Sequence, residues 1–300
     1  MKFTTPSYYQ DFKCTNSSCN DNCCKAGWNI LIDNKTLKKY NSIPNSFGKL
    51  IRENICKTDD GYYIKMNSKC VCPFLNEKGL CNIILNKGEN YICETCKNHP
   101  RFFNYLCDRT EMGLGLCCEE VCRLFLDQKT ITRFITTGSG GKLKGIDKEN
   151  FNLREKSFMI CYESADYKTC INNLKNEFNL NDINLINTIT KSNLEFIGED
   201  YSHILNSIQQ EKKDNHTFSN VELINLILYF IYRYSFANNY VAKFCQIVNF
   251  AIFSIEIIKA TEQNFSNKID CIKEFSKQIE YSEQNVQNLL NNLIWVKLLQ

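Results

Sequence analysis

Cysteine is the residue type of this chain whose number and spacing point to chemistry. The 300 residues include 18 Cys but only 3 His, and 14 of the cysteines lie at or before Cys122. Thiols separated by two to five residues can turn toward one ion without long-range folding, which is why metal sites use such spacings. The sequence therefore predicts metal binding by four clusters, namely Cys14, Cys19, Cys23 and Cys24; Cys70, Cys72 and Cys81; Cys93, Cys96 and Cys107; and Cys117, Cys118 and Cys122.

The spacing leaves two kinds of metal site open. His99 is the histidine near the clusters, so the donors are almost entirely sulfur, which suits either tetrahedral zinc or an iron–sulfur cluster. Zinc sites usually contain two C-x2-C pairs, and here only Cys93 and Cys96 have that spacing. Iron–sulfur centres accept more irregular spacing, so the pattern favours an iron–sulfur cluster, with zinc as the alternative.

The remaining composition excludes several classes of protein. The N-terminal residues contain no apolar run of the length found in export signals, so we expect a cytoplasmic protein with reduced thiols rather than a disulfide scaffold. No stretch reaches the roughly 18–20 uninterrupted apolar residues of a membrane span. The net charge of +3 is not that of a nucleic-acid binder. Neither a membrane nor a nucleic acid is an expected partner.

The elements that must position these thiols are predicted to form a mainly α protein. Residues 1–129 are rich in Cys and hold few long helical patterns, which is typical of a loop-rich domain organised by metal. One exception is a short helix predicted at residues 119–126, with Glu119 and Glu120 in its first turn. Its positive end faces the two thiols that precede it.

Beyond this domain the sequence predicts a linker and then helices. Residues 130–150 contain the glycine-rich segment TTGSGGKLKG, which could cradle a phosphate, but the residues that follow are a poor helix start and leave no helix N-terminus for it. We therefore predict a linker or hairpin there. Residues 151–300 form a predicted α-helical bundle, in which Ser219 and Glu222 make a capping box.

Four ordered sequence blocks resemble a known family. They are YYQDFKCTNSSCNDNCCKAGWNILID, CPFLNEKGLCNI, YICETCKNHPRFFN and EMGLGLCCEEVCRLFL, and together they lie within residues 1–128. This combination resembles the bacterial flagellin lysine N-methyltransferase (lysine-N-methylase) family, which shares its cysteine pattern with small zinc- or iron-chelating domains. The resemblance implies an enzyme that transfers methyl groups from S-adenosylmethionine to lysine side chains of flagellin and carries a cysteine-bound [4Fe-4S] cluster.

The cysteines of the family pattern fall on eight positions of this chain. These are Cys14, Cys19, Cys23, Cys24, Cys72, Cys81, Cys96 and Cys118. The resemblance implies that these eight bind metal, although one cluster needs only four thiolates, which leaves open a second site or a structural role for the others. Glu119 replaces the proline that usually follows the last of these cysteines. Family members are often longer, so we expect a C-terminal element to be missing or shortened here.

Three further residues are candidates for contact with the methyl donor. Arg101 could bind the carboxylate of the donor, and His99 could be a metal ligand or a proton acceptor. The structural alternative is that Pro100 fixes a turn and Arg101 pairs with a surface acid. Trp28 is a candidate lid over the metal core or a platform for the substrate, and Asp33 is expected to end the preceding strand or to cap the element that follows. The catalytic residues stay unassigned.

Two other functions fit the same cysteines. A non-enzymatic zinc- or iron-chelating interaction module could use metal to hold its loops, and an iron–sulfur redox protein could use the neighbouring thiols Cys117 and Cys118. A lysine methyltransferase would also require a neutral amine, because an exposed lysine with a pKa near roughly 10.4 is almost fully protonated at neutral pH. It therefore needs a proton acceptor or a desolvating channel, for which 15 Tyr and 20 Phe supply material.

Overall fold

The chain divides into two compact units. The computed structural model describes residues 2–196, 200–208, 216–237, 240 and 242–293. The helical unit comprises Met1–Phe12, Phe102–Cys117 and Val121–Gln300, and the cysteine-rich unit comprises Lys13–Arg101 with Cys118–Glu120. This division differs from the predicted boundary at residue 129, because the strand at residues 109–114 pairs with the N-terminal strand of the chain.

Helices dominate the described residues, which confirms the mainly α prediction in its coarse form. The helices are α1 (Asn34–Asn41), α2 (Ser46–Glu53), α3 (Asn82–Lys87), α4 (Glu94–Asn98), α5 (Glu119–Leu126), α6 (Gly145–Glu163), α7 (Tyr167–Glu177), α8 (Leu185–Ser192), α9 (Asp200–Ser207), α10 (Asn220–Tyr234), α11 (Phe244–Thr261), α12 (Lys268–Phe275) and α13 (Glu283–Asn292). The strands are β1 (Lys2–Pro6), β2 (Ile55–Thr58), β3 (Gly61–Ile64), β4 (Arg101–Tyr105), β5 (Arg109–Leu114) and β6 (Phe134–Thr137). The metal-organised domain stays a prediction.

A four-stranded mixed sheet is the element that the sequence patterns did not predict. Its strand order is β4-β5-β1-β6. β1 runs parallel to β5, with Thr4 opposite Glu111, and antiparallel to β6, with Thr4 opposite Thr136. The hydroxyls of Thr4 and Thr136 hydrogen-bond across this pair at 2.9 Å. Because β1 and β5 are far apart in sequence, no local pattern marks their pairing.

α10 is a largely buried helix of the helical unit. Its capping box forms as predicted, since Ser219 Oγ accepts the Glu222 N–H and the Glu222 carboxylate accepts the Ser219 N–H. Apolar residues occur on all its faces, and such a helix is stable only when other elements surround it. α11 packs along it, and the Phe230 ring meets those of Phe250 and Phe275 edge-on at 5.9 and 5.8 Å.

Among the described helices, one has the length and composition of a membrane span. It is the segment Phe244–Asn264, which contains α11. In the protein, 78% of its most apolar stretch is buried, which is the environment of a core helix. By length and hydropathy this segment could span a membrane, although the sequence did not predict a membrane span. Its burial supports a place in the core instead.

The segment between the predicted domains is more regular than a linker. β6 lies within it, and α6 begins at Gly145, directly in the residues expected to be a poor helix start. That expectation is wrong for two physical reasons. Asp147 lies in the first turn, where a negative charge is favourable, and the helix is stabilised further along by burial of Arg154 and Phe158.

The cysteine-rich unit is built around a small apolar core. The residues before α1 extend the β2–β3 hairpin, since the Ile32 N–H donates to the Tyr62 carbonyl at 2.7 Å and the Ile64 N–H to the Ile30 carbonyl at 3.0 Å. The core comprises Ile30, Ile32, Tyr40, Ile43, Ile51, Ile64, Phe74 and Ile83, together with Cys72 and Cys93. Two thiols therefore belong to the hydrophobic core itself.

Candidate functional site

Six thiols of the cysteine-rich unit lie together, and we call them the thiol cluster. Its members are Cys23, Cys24, Cys72, Cys81, Cys93 and Cys96. Cys72 and Cys93 are buried in the core of the unit, and Cys24, Cys81 and Cys96 pack against that core. Cys23 directly precedes Cys24 in the chain. The structure thus brings together five of the eight predicted metal cysteines and adds Cys93.

A tight loop brings Cys72 and Cys81 toward each other. The side-chain oxygen of Asn76 accepts hydrogen bonds from the backbone N–H groups of Lys78 and Leu80, each at 2.9 Å. An asparagine that bonds the backbone two and four residues ahead reverses the chain direction. The two cysteines therefore leave the loop side by side.

Asn22 ties the first cysteine block to this loop. Its side-chain oxygen accepts the Cys24 N–H at 2.9 Å, and its side-chain amide donates to the Gly79 carbonyl at 3.2 Å. The Cys72 N–H donates in turn to the Cys24 carbonyl at 2.8 Å. Backbone and side-chain bonds together hold Cys24 against Cys72.

Asp33 positions the C-x2-C pair. One of its carboxylate oxygens accepts the Thr36 N–H at 2.9 Å and caps α1, as predicted, while the other accepts the Glu94 N–H at 3.0 Å. Glu94 opens α4, Cys96 lies in that helix and Cys93 immediately precedes it. One carboxylate thus fixes two helix starts and places both thiols of the pair.

Hydrogen bonds shift the acidity of these thiols in opposite directions. A bond with Cys24 and the backbone N–H groups of Phe74 and Leu75 outweigh burial and lower the pKa of Cys72 to about 7. Such bonds stabilise the thiolate, which is the form that ligates metal. Contact with Cys23 and Cys72, together with burial, raises the pKa of Cys24. These surroundings thus favour the thiolate form at Cys72 and the thiol form at Cys24.

The other three predicted metal cysteines have different surroundings. Cys14 is exposed, and its sulfur accepts the Asn16 N–H at 3.4 Å. Cys19 is partly exposed and donates to the Glu119 carboxylate at 3.7 Å. Cys118 is partly exposed and directly precedes α5, the short helix that the sequence predicted.

Glu119, which stands where the family usually has proline, binds the first cysteine block. Its carboxylate accepts hydrogen bonds from the Asn20 side chain and the Asp21 N–H, each at 3.1 Å, in addition to the Cys19 thiol. Glu119 is the first residue of α5, where the helix favours a negative charge. One carboxylate therefore holds three consecutive residues of the loop that leads to Cys23.

Replacing Glu119 by alanine is expected to lower the free energy of unfolding by about 1–2 kcal/mol, because three donors lose their acceptor. Glu119→Gln keeps one acceptor oxygen and should lose less. Urea unfolding followed by circular dichroism measures both variants. The control is Glu53→Ala, which removes an exposed ion pair with Lys49 at 3.8 Å and should change the free energy by less than about 0.5 kcal/mol. Equal losses for the two alanine variants would contradict the role of Glu119.

The structure brings two of the three candidate donor-binding residues together. The rings of Trp28 and His99 lie 5.2 Å apart between centroids, at an interplanar angle of 69°. Trp28 Nε1 donates to the Cys23 carbonyl at 2.9 Å, so the pair lies beside the thiol cluster. Arg101 is the partly exposed first residue of β4.

The thiol cluster is not arranged as a closed ligand shell. Within the described ranges, no group of three or more His, Cys, Asp or Glu side chains is positioned to hold a metal ion. The donor chemistry nonetheless fits a soft metal, because all six donors of the cluster are thiols. Metal binding would require these thiols to turn toward a common point.

The helical unit contains two buried ion pairs that no sequence pattern predicted. Arg154 makes two bonds of 2.6 and 2.7 Å to the Glu111 carboxylate, and the two side chains are 2% and 0% exposed. Arg233 lies 3.3 Å from the Glu280 carboxylate, which also accepts the Tyr229 hydroxyl at 3.0 Å. Each buried charge is matched, which is the condition for retaining it in a core.

Comparison with known proteins found no matching family model and no matching solved structure. The chain is similar to the Flagellar biosynthetic protein FliU of Salmonella muenchen, with 28% identity over 169 residues, which is 53% of this chain and 96% of that protein. It is also similar to the Lysine-N-methylases of Salmonella choleraesuis and Salmonella typhimurium, each 31% identical over 130 residues, which is 41% of this chain and 32% of theirs. The match thus spans nearly all of one relative and about a third of the other two.

Proposed function

We propose that this chain is a lysine N-methyltransferase that transfers methyl groups from S-adenosylmethionine to lysine side chains of flagellin. The observation that carries the proposal is its 31% identity to proteins named Lysine-N-methylase. The name of the third relative, a flagellar biosynthetic protein, supports a flagellar substrate. Because the chain holds many free thiols, the cytoplasm is its proposed location.

The thiol cluster is the proposed site of a [4Fe-4S] cluster, with zinc as the alternative metal. Bound there, the metal would join three segments of the chain and offer a positive centre to the amino and carboxylate groups of the donor. Asn22, Asn76 and Asp33 hold these segments in place through the hydrogen bonds described above. Hydrogen bonds that fix the chain around a metal site help to orient its ligands.

Methyl transfer requires groups that bind a cation and accept a proton. The donor is a sulfonium cation, and the face of the Trp28 ring is suited to hold it. His99 lies against that ring, and an imidazole can accept a proton from the lysine ammonium near neutral pH. The Arg101 guanidinium is suited to bind the carboxylate of the donor. We assign these three side chains to the donor and lysine site.

Coexpression with flagellin tests the proposal. Flagellin lysines are expected to gain mass increments of one methyl group when the chain is present, as read by peptide mass spectrometry. The control variant Cys271→Ser alters a buried thiol of the helical unit and should methylate like the wild type. Unmodified flagellin in the presence of folded, metal-loaded chain and donor would overturn the proposal.

A metal-binding module of the flagellar system without enzymatic activity is the second candidate function. The extent of the matches favours this function, because the chain matches 96% of the length of FliU but only 32% of the length of the Lysine-N-methylases. Such a module would bind zinc or iron and a flagellar partner without S-adenosylmethionine. Calorimetric titration separates the two functions, since the enzyme should bind S-adenosylmethionine saturably and the module should not bind it.

A further inference from the structure

We infer that Cys161 and Cys170 are a redox-active pair of thiols, which a peroxide oxidises to a reversible disulfide within the helical unit. Cys161 lies in the last turn of α6 and Cys170 at the start of α7. Their sulfur atoms are 3.7 Å apart and share a hydrogen bond, and both residues are fully buried. The pair belongs to the helical unit, so its chemistry is independent of the metal proposed for the thiol cluster.

A short, well-capped turn holds the two thiols opposite each other. Residues 164–166 separate the two helices. The Ser164 N–H donates to the Ile160 carbonyl at 3.1 Å and ends α6, while the Asp166 carboxylate accepts the Thr169 N–H at 2.7 Å and begins α7. Helices joined by so few residues are antiparallel neighbours. The end of α6 therefore faces the start of α7, where the two cysteines lie.

Contacts with the rest of the unit fix both helices. Arg154 of α6 pairs with the buried Glu111 carboxylate. In α7, the Tyr167 hydroxyl donates to the Glu256 carboxylate at 2.7 Å, and the Tyr167 N–H donates to the Asn220 side chain at 3.0 Å. A disulfide needs its sulfurs about 2.0–2.1 Å apart, so these sulfurs must approach by less than about 2 Å. Rotation of the two side chains covers that distance without moving the helices.

The oxidation requires a peroxide as the electron acceptor. One thiol loses its proton, and the thiolate attacks a peroxide oxygen, which breaks the O–O bond and gives a sulfenic acid and hydroxide. The second thiol then attacks the sulfenic sulfur, forms the S–S bond and releases water. The proton of the first thiol neutralises the hydroxide, so two thiols and one hydrogen peroxide give one disulfide and two waters. Transient fraying of the two helix ends admits so small an oxidant.

Cys271 is the matched control, because it is equally buried in the same unit but has different neighbours. Its thiol donates to the Ile258 carbonyl at 3.3 Å, and its sulfur lies 3.7 Å from the Thr261 hydroxyl. These hydrogen-bond partners are oxygen atoms, which cannot form a disulfide. Burial is thus the same at the two sites, and the neighbouring sulfur is what distinguishes them.

Peptide mapping of the full wild-type chain after treatment with hydrogen peroxide tests the proposal. Free thiols are alkylated as the chain is unfolded, and trypsin then cleaves without prior reduction. Cleavage after Lys168 separates Cys161 from Cys170, so a disulfide between them joins two peptides into one species that lacks two hydrogens. We expect this species, the loss of alkylation at both cysteines, and its recovery after a dithiol reductant. Cys271 should stay fully alkylated.

Exposed Cys14 reports whether the peroxide dose is sufficient. Full alkylation of Cys161 and Cys170 at a dose that oxidises Cys14 would overturn the proposal. Disulfides that join either residue to another cysteine, in place of the expected pair, would overturn it as well. Neither result bears on methyl transfer, which the coexpression experiment tests separately.

Discussion

An Arg154→Ala variant is expected to lose about 3–5 kcal/mol of the free energy of unfolding, because it leaves the Glu111 carboxylate buried without its counter-ion. The two side chains are 2% and 0% exposed and share two short hydrogen bonds. The guanidinium also lies 5.5 and 5.4 Å from the ring centroids of Phe158 and Tyr232, so alanine would leave a cavity between aromatic side chains. Urea denaturation of the full chain measures the loss.

Two further variants isolate the buried charge as the cause. A double replacement, Arg154→Leu with Glu111→Leu, should recover most of the loss, because an apolar pair needs no counter-charge. Arg123→Ala removes an exposed pair with Asp127 at 2.9 Å and should cost less than about 0.5 kcal/mol. A loss in Arg154→Ala no larger than that of Arg123→Ala would contradict this account of the core.

The second large effect is expected from Cys72→Ser, which should abolish tight metal binding and destabilise the metal-loaded chain by more than about 3 kcal/mol. Cys72 is 5% exposed and belongs to the core of the cysteine-rich unit, and its backbone N–H donates to the Cys24 carbonyl. Metal held by the thiol cluster would connect three separate segments of the chain. Its binding free energy would therefore contribute directly to folding.

A chelator separates the loss of metal from the loss of packing. Removing metal should lower the stability of the wild type to that of Cys72→Ser, and the variant should not respond to the chelator. Cys271→Ser, which replaces a fully buried thiol outside the cluster, should keep the wild-type response. A Cys72→Ser protein that still loses stability on chelation would show that its metal is held elsewhere.

Local signals predicted the elements that carry their own caps. Ser219 with Glu222 identified the start of α10, and Asp33 was recognised as a helix cap, because side-chain caps act within three or four residues. No local pattern predicted the sheet, because its paired strands are far apart in sequence. Lys2 of β1, for example, lies opposite Arg109 of β5. The start of α6 was missed for a related reason, because the stability of this helix depends on burial further along, which the residues at its start do not indicate.

The structure divides a cysteine block that the sequence spacing keeps together. Spacing placed Cys19 and Cys23 in one block, but Cys19 bonds to Glu119 while Cys23 joins the thiol cluster. Two side chains make that difference, Glu119 and Asn22, and their partners lie far away in sequence. Cys93 is not among the eight family positions, although its C-x2-C spacing with Cys96 is visible in the sequence.

Methyl transfer by the purified chain tests the central claim most directly. The chain, loaded with metal without oxygen, is incubated with flagellin and isotopically labelled S-adenosylmethionine, and labelled methyl groups on lysine are counted by mass spectrometry. The expected result is labelled lysine with the wild type and with Cys271→Ser, and none with Cys72→Ser. Unlabelled flagellin with a folded, metal-loaded wild-type chain would contradict the assignment of this protein as a lysine methyltransferase.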